Sequence, residues 1–160
     1  MQKIKTHLAG LLLICIALIG IVGSNSSKKA FESNSNHWLP DDFNPNKGVL
    51  LVEKAGHHKQ PEKMETCMST NYPYKYELIS LDDLNLPKYA DKNTYRFILK
   101  SVQSEHYSTY TNGETMHTTG FDFYFYDRLN DKAYSKSGAE FGWPAESLEK
   151  IVKKIIQDRQ

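Results

Sequence analysis

The sequence predicts an α+β domain, in which a mainly antiparallel sheet of about five strands has two helices packed on one of its faces. Three observations predict this class: an aliphatic run follows Gly48, a long hairpin pattern surrounds Gly113, and an amphipathic segment follows Pro144. Along the chain the expected order is strand, helix, strand, a three-strand meander and a final helix.

The first strand and the first helix follow from hydrophobic spacing. Residues 49–52 are aliphatic without polar alternation, which predicts a strand that is buried on both faces and central in the sheet. Pro61 suits the first turn of a helix, because its missing N–H is not needed there. The apolar residues that follow at helical spacing are Met64, Cys67 and Met68. They predict a short helix with one buried face.

Two less regular segments come next. From Tyr74 to Leu78, apolar and charged side chains alternate, which predicts a second strand that ends at Ile79. Residues 81–87 carry three leucines among acidic and amide side chains. We expect an irregular segment or a helical turn there that packs its leucines on the flank of the domain.

The long hairpin is the strongest short-range signal in the chain. The Asn-Gly pair at 112–113 favours a two-residue turn with positive φ at both positions. We therefore expect residues 95–111 to pair with residues 114–127. This register places Leu99 opposite Tyr126 and directs the alternating phenylalanines of the second strand toward the core.

The end of the chain predicts one more strand and a second helix. A tight turn at 130–131 leads into a strand over residues 132–136 and completes the meander. After Pro144 the apolar residues share one helical face: Leu148, Ile151, Val152, Ile155 and Ile156. We expect Trp143 to pack the start of this helix onto the sheet.

The amino end predicts export. Lys3 and Lys5 precede an apolar run over residues 8–22, and small and polar residues follow that run. This order is typical of a secretory signal peptide, with cleavage expected after Ser24. An uncleaved amino-terminal membrane anchor is the alternative, although the run is short for a span.

Three segments follow from this interpretation. Residues 1–24 are assigned to the signal, residues 25–45 to a polar tether, and residues 46–160 to a single domain that lies in the periplasm or outside the cell. Cys67 is then the only cysteine of the exported chain, so it has no partner for an internal disulfide.

Candidates for chemistry are sparse. The formal net charge of +1 provides no basic excess for binding a nucleic acid. His57, His58 and Cys67 form a weak metal-ligand pattern, because neighbouring histidines on an extended backbone diverge. His106 or His117 is a conceivable base for a Cys67 nucleophile, but the spacing of Cys67 favours packing. We expect no metal and no cofactor.

Aromatic content is the remaining unusual feature, with 10 tyrosines among 160 residues. Tyrosine supplies stiff amphipathic area suited to binding surfaces. The tyrosines on or beside the meander are Tyr107, Tyr110, Tyr124, Tyr126 and Tyr134. They favour a non-catalytic binding domain of the bacterial cell envelope that contacts a protein or an envelope polymer through an uncovered sheet face. The alternatives are a small exported hydrolase or metal-dependent enzyme that uses histidines, and a structural surface protein with no tight partner.

Overall fold

A computed structural model describes residues 36–159, all of which belong to one compact unit. The predicted signal over residues 1–24 and the start of the tether lie outside the described residues. The helices and strands are β1 (Leu50–Glu53), α1 (Gln60–Asn71), β2 (Tyr76–Ile79), β3 (Phe97–Thr109), β4 (Thr115–Asp127), β5 (Lys132–Lys136) and α2 (Pro144–Asp158). Two short 3₁₀ turns, Leu81–Asn85 and Pro87–Tyr89, lie between β2 and β3.

The described strands form one five-stranded sheet in the order β2-β1-β3-β4-β5. The central position predicted for β1 is confirmed, and the fold is of mixed α and β content with two helices. The sheet is antiparallel only from β3 to β5, because β1 runs parallel to both β2 and β3. The two long connections that join β1 to β2 and β2 to β3 each return the chain to the same end of the sheet, so the first three strands share one direction.

The register of the β3–β4 hairpin differs from the predicted one by a single residue. Leu99 lies opposite Phe125 instead of Tyr126. The cause is a three-residue loop, in which the Gly113 N–H donates to the Tyr110 carbonyl at 2.9 Å and only Gly113 has positive φ, at 87°. A turn of this kind, closed by a glycine bulge, shifts the pairing by one position and places both apolar side chains on the core face.

The main core lies between the two helices and one face of the sheet. From α2 the fully buried apolar side chains are Leu148, Ile151, Val152 and Ile155. They share one cluster with Met64 and Met68 of α1 and with Phe123 and Phe125 of β4. Each such side chain contributes about 1.5–3 kcal/mol when fully buried, so this cluster dominates the stability of the fold.

The segment assigned to the tether also reaches the core. Leu39 is 8% exposed and Phe43 is 4% exposed. The Phe43 ring lies 4.9 Å from the Phe125 ring and 5.4 Å from the Phe97 ring. Residues from Leu39 onward therefore pack as part of the domain, and a tether can comprise only residues before them.

The second face of the sheet is partly covered by the connection from β2 to β3. Tyr89 is buried there against Leu51, Ile79 and Ile98. Of the three leucines expected to pack on the flank of the domain, Leu84 packs partly against this cluster, whereas Leu81 and Leu86 are exposed. One aromatic ring fills the space because the second 3₁₀ turn directs Tyr89 inward.

An ion pair fastens the turn between β4 and β5 to the start of β3. The Arg96 guanidinium donates two hydrogen bonds to the fully buried Asp127 carboxylate, at 3.0 and 2.6 Å. Burial by itself would raise the pKa of Asp127, but the hydrogen bonds from Arg96, Asn130 and the Leu129 N–H outweigh burial and lower that pKa below its ordinary value.

We predict that Asp127→Asn lowers the free energy of unfolding by about 2 kcal/mol, because the charge-assisted hydrogen bonds from Arg96 to the buried carboxylate are lost and, among the described residues, Arg96 keeps only the exposed Asp42 carboxylate, at 2.6 Å, as an ionic partner. In the unfolded chain Asp127 protonates near its ordinary pKa of about 3.9. The stabilisation from this carboxylate is thus fully present above about pH 5 and is lost as pH falls through the lower pKa of the folded state. Urea unfolding between pH 3 and pH 7 should show a shallower acid slope for the variant.

The matched control is Asp158→Asn at the exposed end of α2. It should change the free energy of unfolding by less than about 0.5 kcal/mol. Equal stability of the Asp127→Asn and wild-type proteins at pH 7 would contradict the structural role of the ion pair.

Candidate functional site

The β3–β4 hairpin extends well past its neighbours in the sheet. β1 pairs with β3 only as far as Leu99, and β5 pairs with β4 only from Tyr124 onward. An isolated bridge between Phe121 and Phe141 is the last backbone pairing of β4 with its flank among the described residues. Beyond it, residues 104–120 form a two-stranded ribbon, which we call the arm. At about 3.3 Å per residue its strands project roughly 20 Å.

The arm is held together by contacts between its own two strands. The Tyr107 and His117 rings stack with their centroids 4.8 Å apart. The Tyr110 hydroxyl lies 3.2 Å from the Met116 sulfur, and the Glu114 N–H closes the loop against the Asn112 side chain at 3.1 Å. Since these contacts are exposed and local, the arm lacks most of the core packing that stabilises the middle of the described sheet.

The five predicted tyrosines do not share one surface. Tyr134 is 7% exposed and lies in the main core, so it is not available as a surface residue. Tyr107 and Tyr110 lie on the arm and are 68% and 51% exposed. By strand alternation Tyr124 and Tyr126 face away from the helices, at the base of the arm.

The two tyrosines at the base are anchored by neighbouring groups. The Tyr126 hydroxyl donates to the Asp131 carboxylate, which raises the pKa of Tyr126 to about 12. The Lys100 ammonium lies 5.3 Å from the Tyr126 ring centroid. Burial raises the pKa of Tyr124, and the Glu53 carboxylate adds to that rise. Both rings are half-buried, so each exposes only part of its surface to a partner.

A groove of about 880 Å³ lies on the helix side of the sheet, where β1 ends and the arm begins. Its residues come from four separate segments: Lys54, Ala55, Gly56, His57, His58 and Gln60; Ser101 and Gln103; Thr118, Thr119 and Phe121; and Gly142, Trp143 and Pro144. This volume is typical of a ligand-binding site.

Gly56 brings the starts of α1 and α2 together at this groove. Its φ of 76° is left-handed, and a Cβ at this position would lie 3.0 Å from the Pro144 ring and 3.1 Å from the Gln60 side chain. Gln60 is 7% exposed, and its Oε1 accepts no hydrogen bond from any residue that the structure describes. A buried acceptor left unpaired costs about 1–3 kcal/mol, so the groove contains an unsatisfied polar group.

The groove combines aromatic and basic side chains. Trp143 is 58% exposed, so the expectation that it packs the helix onto the sheet is wrong. Its indole lines the groove together with the half-buried Phe121 ring. Lys54, His57 and His58 line it as well, and no carboxylate is present among its lining residues.

His57, His58, Cys67 and His117 do not assemble into one site. His57 and His58 line the groove, whereas Cys67 lies on α1 in a different depression, between the two helices. His117 stacks on Tyr107, and His106 lies opposite Thr118 in the arm. Among the side chains that the structure describes, no group of three or more metal-ligating residues could hold a metal ion.

Cys67 is also in the wrong protonation state for a nucleophile. Burial raises the pKa of its thiol to about 11, and the nearby Glu149 carboxylate adds to the rise. A reactive cysteine needs a lowered pKa, because the thiolate is the attacking species. Cys67 therefore packs in the core, as its spacing along α1 predicts.

Among the described residues, no helix combines the length and the apolar character that crossing a bilayer requires. No protein-family model matches this chain, and no curated protein or solved structure matches it.

The groove was not predicted from the sequence, although two signals point to it in retrospect. Lys54 to His58 follow the end of a buried strand that leads into a helix, which is the place where open sheets with parallel strands bind ligands. Gly142, Trp143 and Pro144 place a large aromatic ring between a flexible residue and a helix start. Neither signal reveals that the two segments meet.

We predict that Gly113→Ala loosens the arm without unfolding the domain. Alanine is strained at the φ of 87° found for Gly113, by about 1 kcal/mol. That cost corresponds to roughly fivefold faster amide exchange in residues 104–120, measured by NMR, while the amides of β1 and α2 keep their protection.

Gly138 offers a matched control, because its φ is 70° and, as at Gly113, no atom lies within 4 Å of an added Cβ. Its N–H donates to the buried Asp122 carboxylate, outside the arm. Gly138→Ala should therefore leave exchange in the arm unchanged. Equal acceleration of the arm by both variants would contradict the local character of its stability.

Proposed function

We propose that this chain is an exported, non-catalytic binding domain of the bacterial cell envelope, which contacts a protein or an envelope polymer through the arm and the sheet surface at its base. One observation carries the proposal: the arm projects from the sheet with large side chains exposed. Tyr107, Tyr110 and Met116 are 68%, 51% and 42% exposed.

The energetics of a free two-stranded ribbon support this function. An isolated hairpin is marginally stable in water, and tyrosine and methionine are side chains enriched where proteins bind partners. A partner that covers the arm would remove apolar area from water and order the ribbon at the same time. The same partner would also contact Tyr124 and Tyr126 at the base of the arm, on the side away from the helices.

The export part of the proposal rests on the amino-terminal pattern. We predict that the protein recovered from cells begins at Asn25, because the apolar run over residues 8–22 directs export and the small residues after it permit cleavage. Amino-terminal sequencing and intact mass of material from the periplasm or the medium check this. Full-length protein in the cytosolic fraction would contradict export, and full-length protein in the membrane fraction would support the anchor.

We predict that the triple variant Tyr107→Ser, Tyr110→Ser, Met116→Ser loses at least 90% of the partner recovered by the wild-type chain from an envelope extract. The substitutions remove the exposed apolar area of the arm and leave the core untouched. Recovery is quantified by mass spectrometry, and thermal unfolding verifies that the domain remains folded.

The control is Leu81→Ser, Leu86→Ser, which removes two exposed apolar side chains outside the arm. It should recover as much partner as the wild type. Tyr124→Ala, Tyr126→Ala tests the base of the arm, where we expect a reduced recovery. Undiminished recovery by the triple variant would refute a binding role for the arm.

A further inference from the structure

We propose that the outer edge of β3, above the groove, binds an extended polypeptide segment of a partner protein as an additional strand, with an acidic side chain at its Lys54 end. This inference rests on the proposed function, because it narrows the partner to a protein and gives the place of contact.

Within the part of the chain that the structure describes, the backbone of β3 has an unpaired edge beyond the end of β1. The Tyr110 N–H donates to Glu114 across the hairpin, so the even-numbered residues of β3 direct their backbone groups toward β4. Odd-numbered residues direct theirs to the side of β1. In the described chain no strand lies on that side beyond Leu99, which leaves the backbone groups of Gln103, Glu105 and Tyr107 open to an added strand.

The junction between the paired and the open edge is capped by a side chain. The Ser101 N–H donates to the Glu53 carboxylate at 2.8 Å. Glu53 is the last residue of β1. Its carboxylate takes the place of a β1 carbonyl as the acceptor for the Ser101 N–H. An added strand would start beyond this cap, at Gln103.

The groove lies beside the place where a continuation of β1 would run, on the helix side of the sheet. The chain turns away from the sheet at Gly56, and the residues just past β1 form one wall of the groove while Ser101 and Gln103 of β3 form another. A strand laid along the open edge would therefore direct alternate side chains into the groove.

The chemistry of the groove selects the side chains of such a strand. Trp143 and Phe121 provide an aromatic surface for one apolar side chain. Lys54, with His57 and His58 beside it and no carboxylate in the lining, favours an acidic side chain at that end. Farther along the arm the Glu105 carboxylate lies 3.6 Å from the His117 Nε2. Its negative charge disfavours an acidic residue of the added strand at that position. The buried Gln60 amide adds a polar group that a rotation of its terminal torsion would offer to the ligand.

A polypeptide ligand would use both the open edge of β3 and the lining of the groove, whereas a glycan would use only the groove. A sugar polymer could stack on Trp143 and bond to the hydroxyl and amide groups of the groove. It has no regular alternation of N–H and C=O groups to pair with the edge of β3. Strand addition uses the edge for affinity and the groove for specificity.

The test uses a random twelve-residue peptide library displayed on phage, selected against the immobilised protein. Affinities of the enriched peptides are measured by fluorescence anisotropy at pH 7. We expect β-branched and aromatic residues in alternation with at least one Asp or Glu. Methylation of one alternate set of peptide amides should weaken binding at least tenfold, and methylation of the other set should leave it unchanged, because only one set faces β3.

Variants of the protein locate the site. Lys54→Glu should weaken peptide binding at least tenfold, and the control Lys153→Glu, on the exposed side of α2, should not. NMR should show the amides of Gln103, Glu105 and Tyr107 gaining protection from exchange when peptide is bound.

Each contrary outcome is decisive. Equal effects of both methylated sets, or indifference to Lys54→Glu, would overturn strand addition at β3 while leaving the proposed binding function intact. An empty selection would overturn it too, and so would binding of an envelope glycan that Trp143→Ala abolishes. Failure of the wild-type chain to recover any partner from the envelope extract would instead count against the proposed function itself.

Discussion

The antiparallel ladder between β3 and β4 is the constraint on which the rest of this structure depends. Its thirteen paired positions place Phe123 and Phe125 on the helix side, where both helices bury their apolar faces. A slip of one residue would move these rings to the other face and expose them. The Gly113 loop sets the register, and the Arg96–Asp127 pair fastens the opposite end. One end of the β3–β4 ladder therefore contributes to the core, and its other end forms the arm.

The unequal lengths of the strands create the surfaces of interest. β1 has four residues and β3 has thirteen, so most of the edge of β3 has no neighbouring strand among residues 36–159. The left-handed turn at Gly56 then carries the chain into α1 and leaves the groove beside that edge. A short central strand beside a long one thus generates an open backbone edge and a cleft at the same place. The open edge and the cleft lie side by side because both begin where β1 ends.

Local periodicity predicts most of the elements, because helices and strands are decided by short-range patterns. β5 spans the predicted residues 132–136, and α2 begins at the predicted Pro144. The hairpin register was not predictable, since an Asn-Gly pair fits both a two-residue turn and a three-residue loop. The direction of β1 relative to β3 depends on contacts between distant segments. No local pattern reports it, although the central position of β1 follows from its continuous apolar run.

The candidate site was harder to predict for the same reason. The exposure of Tyr107 and Tyr110 agrees with a binding surface, but alternation alone cannot separate a tyrosine on a free ribbon from one that fills a core, as Tyr134 does. The groove combines four segments that are far apart in sequence, so its aromatic and basic character appears only after folding. Trp143 illustrates the point, because a tryptophan before a helix is expected to pack and here it is exposed.

Three acidic side chains of the described sheet support its structure through hydrogen bonds. Asp127 is held by Arg96, and Asp122 accepts hydrogen bonds from the Ser137 hydroxyl and the Gly138 N–H. Glu53 accepts the Ser101 N–H, and burial raises its pKa despite that bond. Each of these carboxylates already satisfies a backbone group or a charge, so recruiting it as a proton donor or acceptor would break a contact that supports the sheet. The lining of the groove contains no carboxylate that could orient His57 or His58. The groove offers an aromatic surface and a positively charged side chain beside the edge of β3, and the proposed strand addition rests on these features.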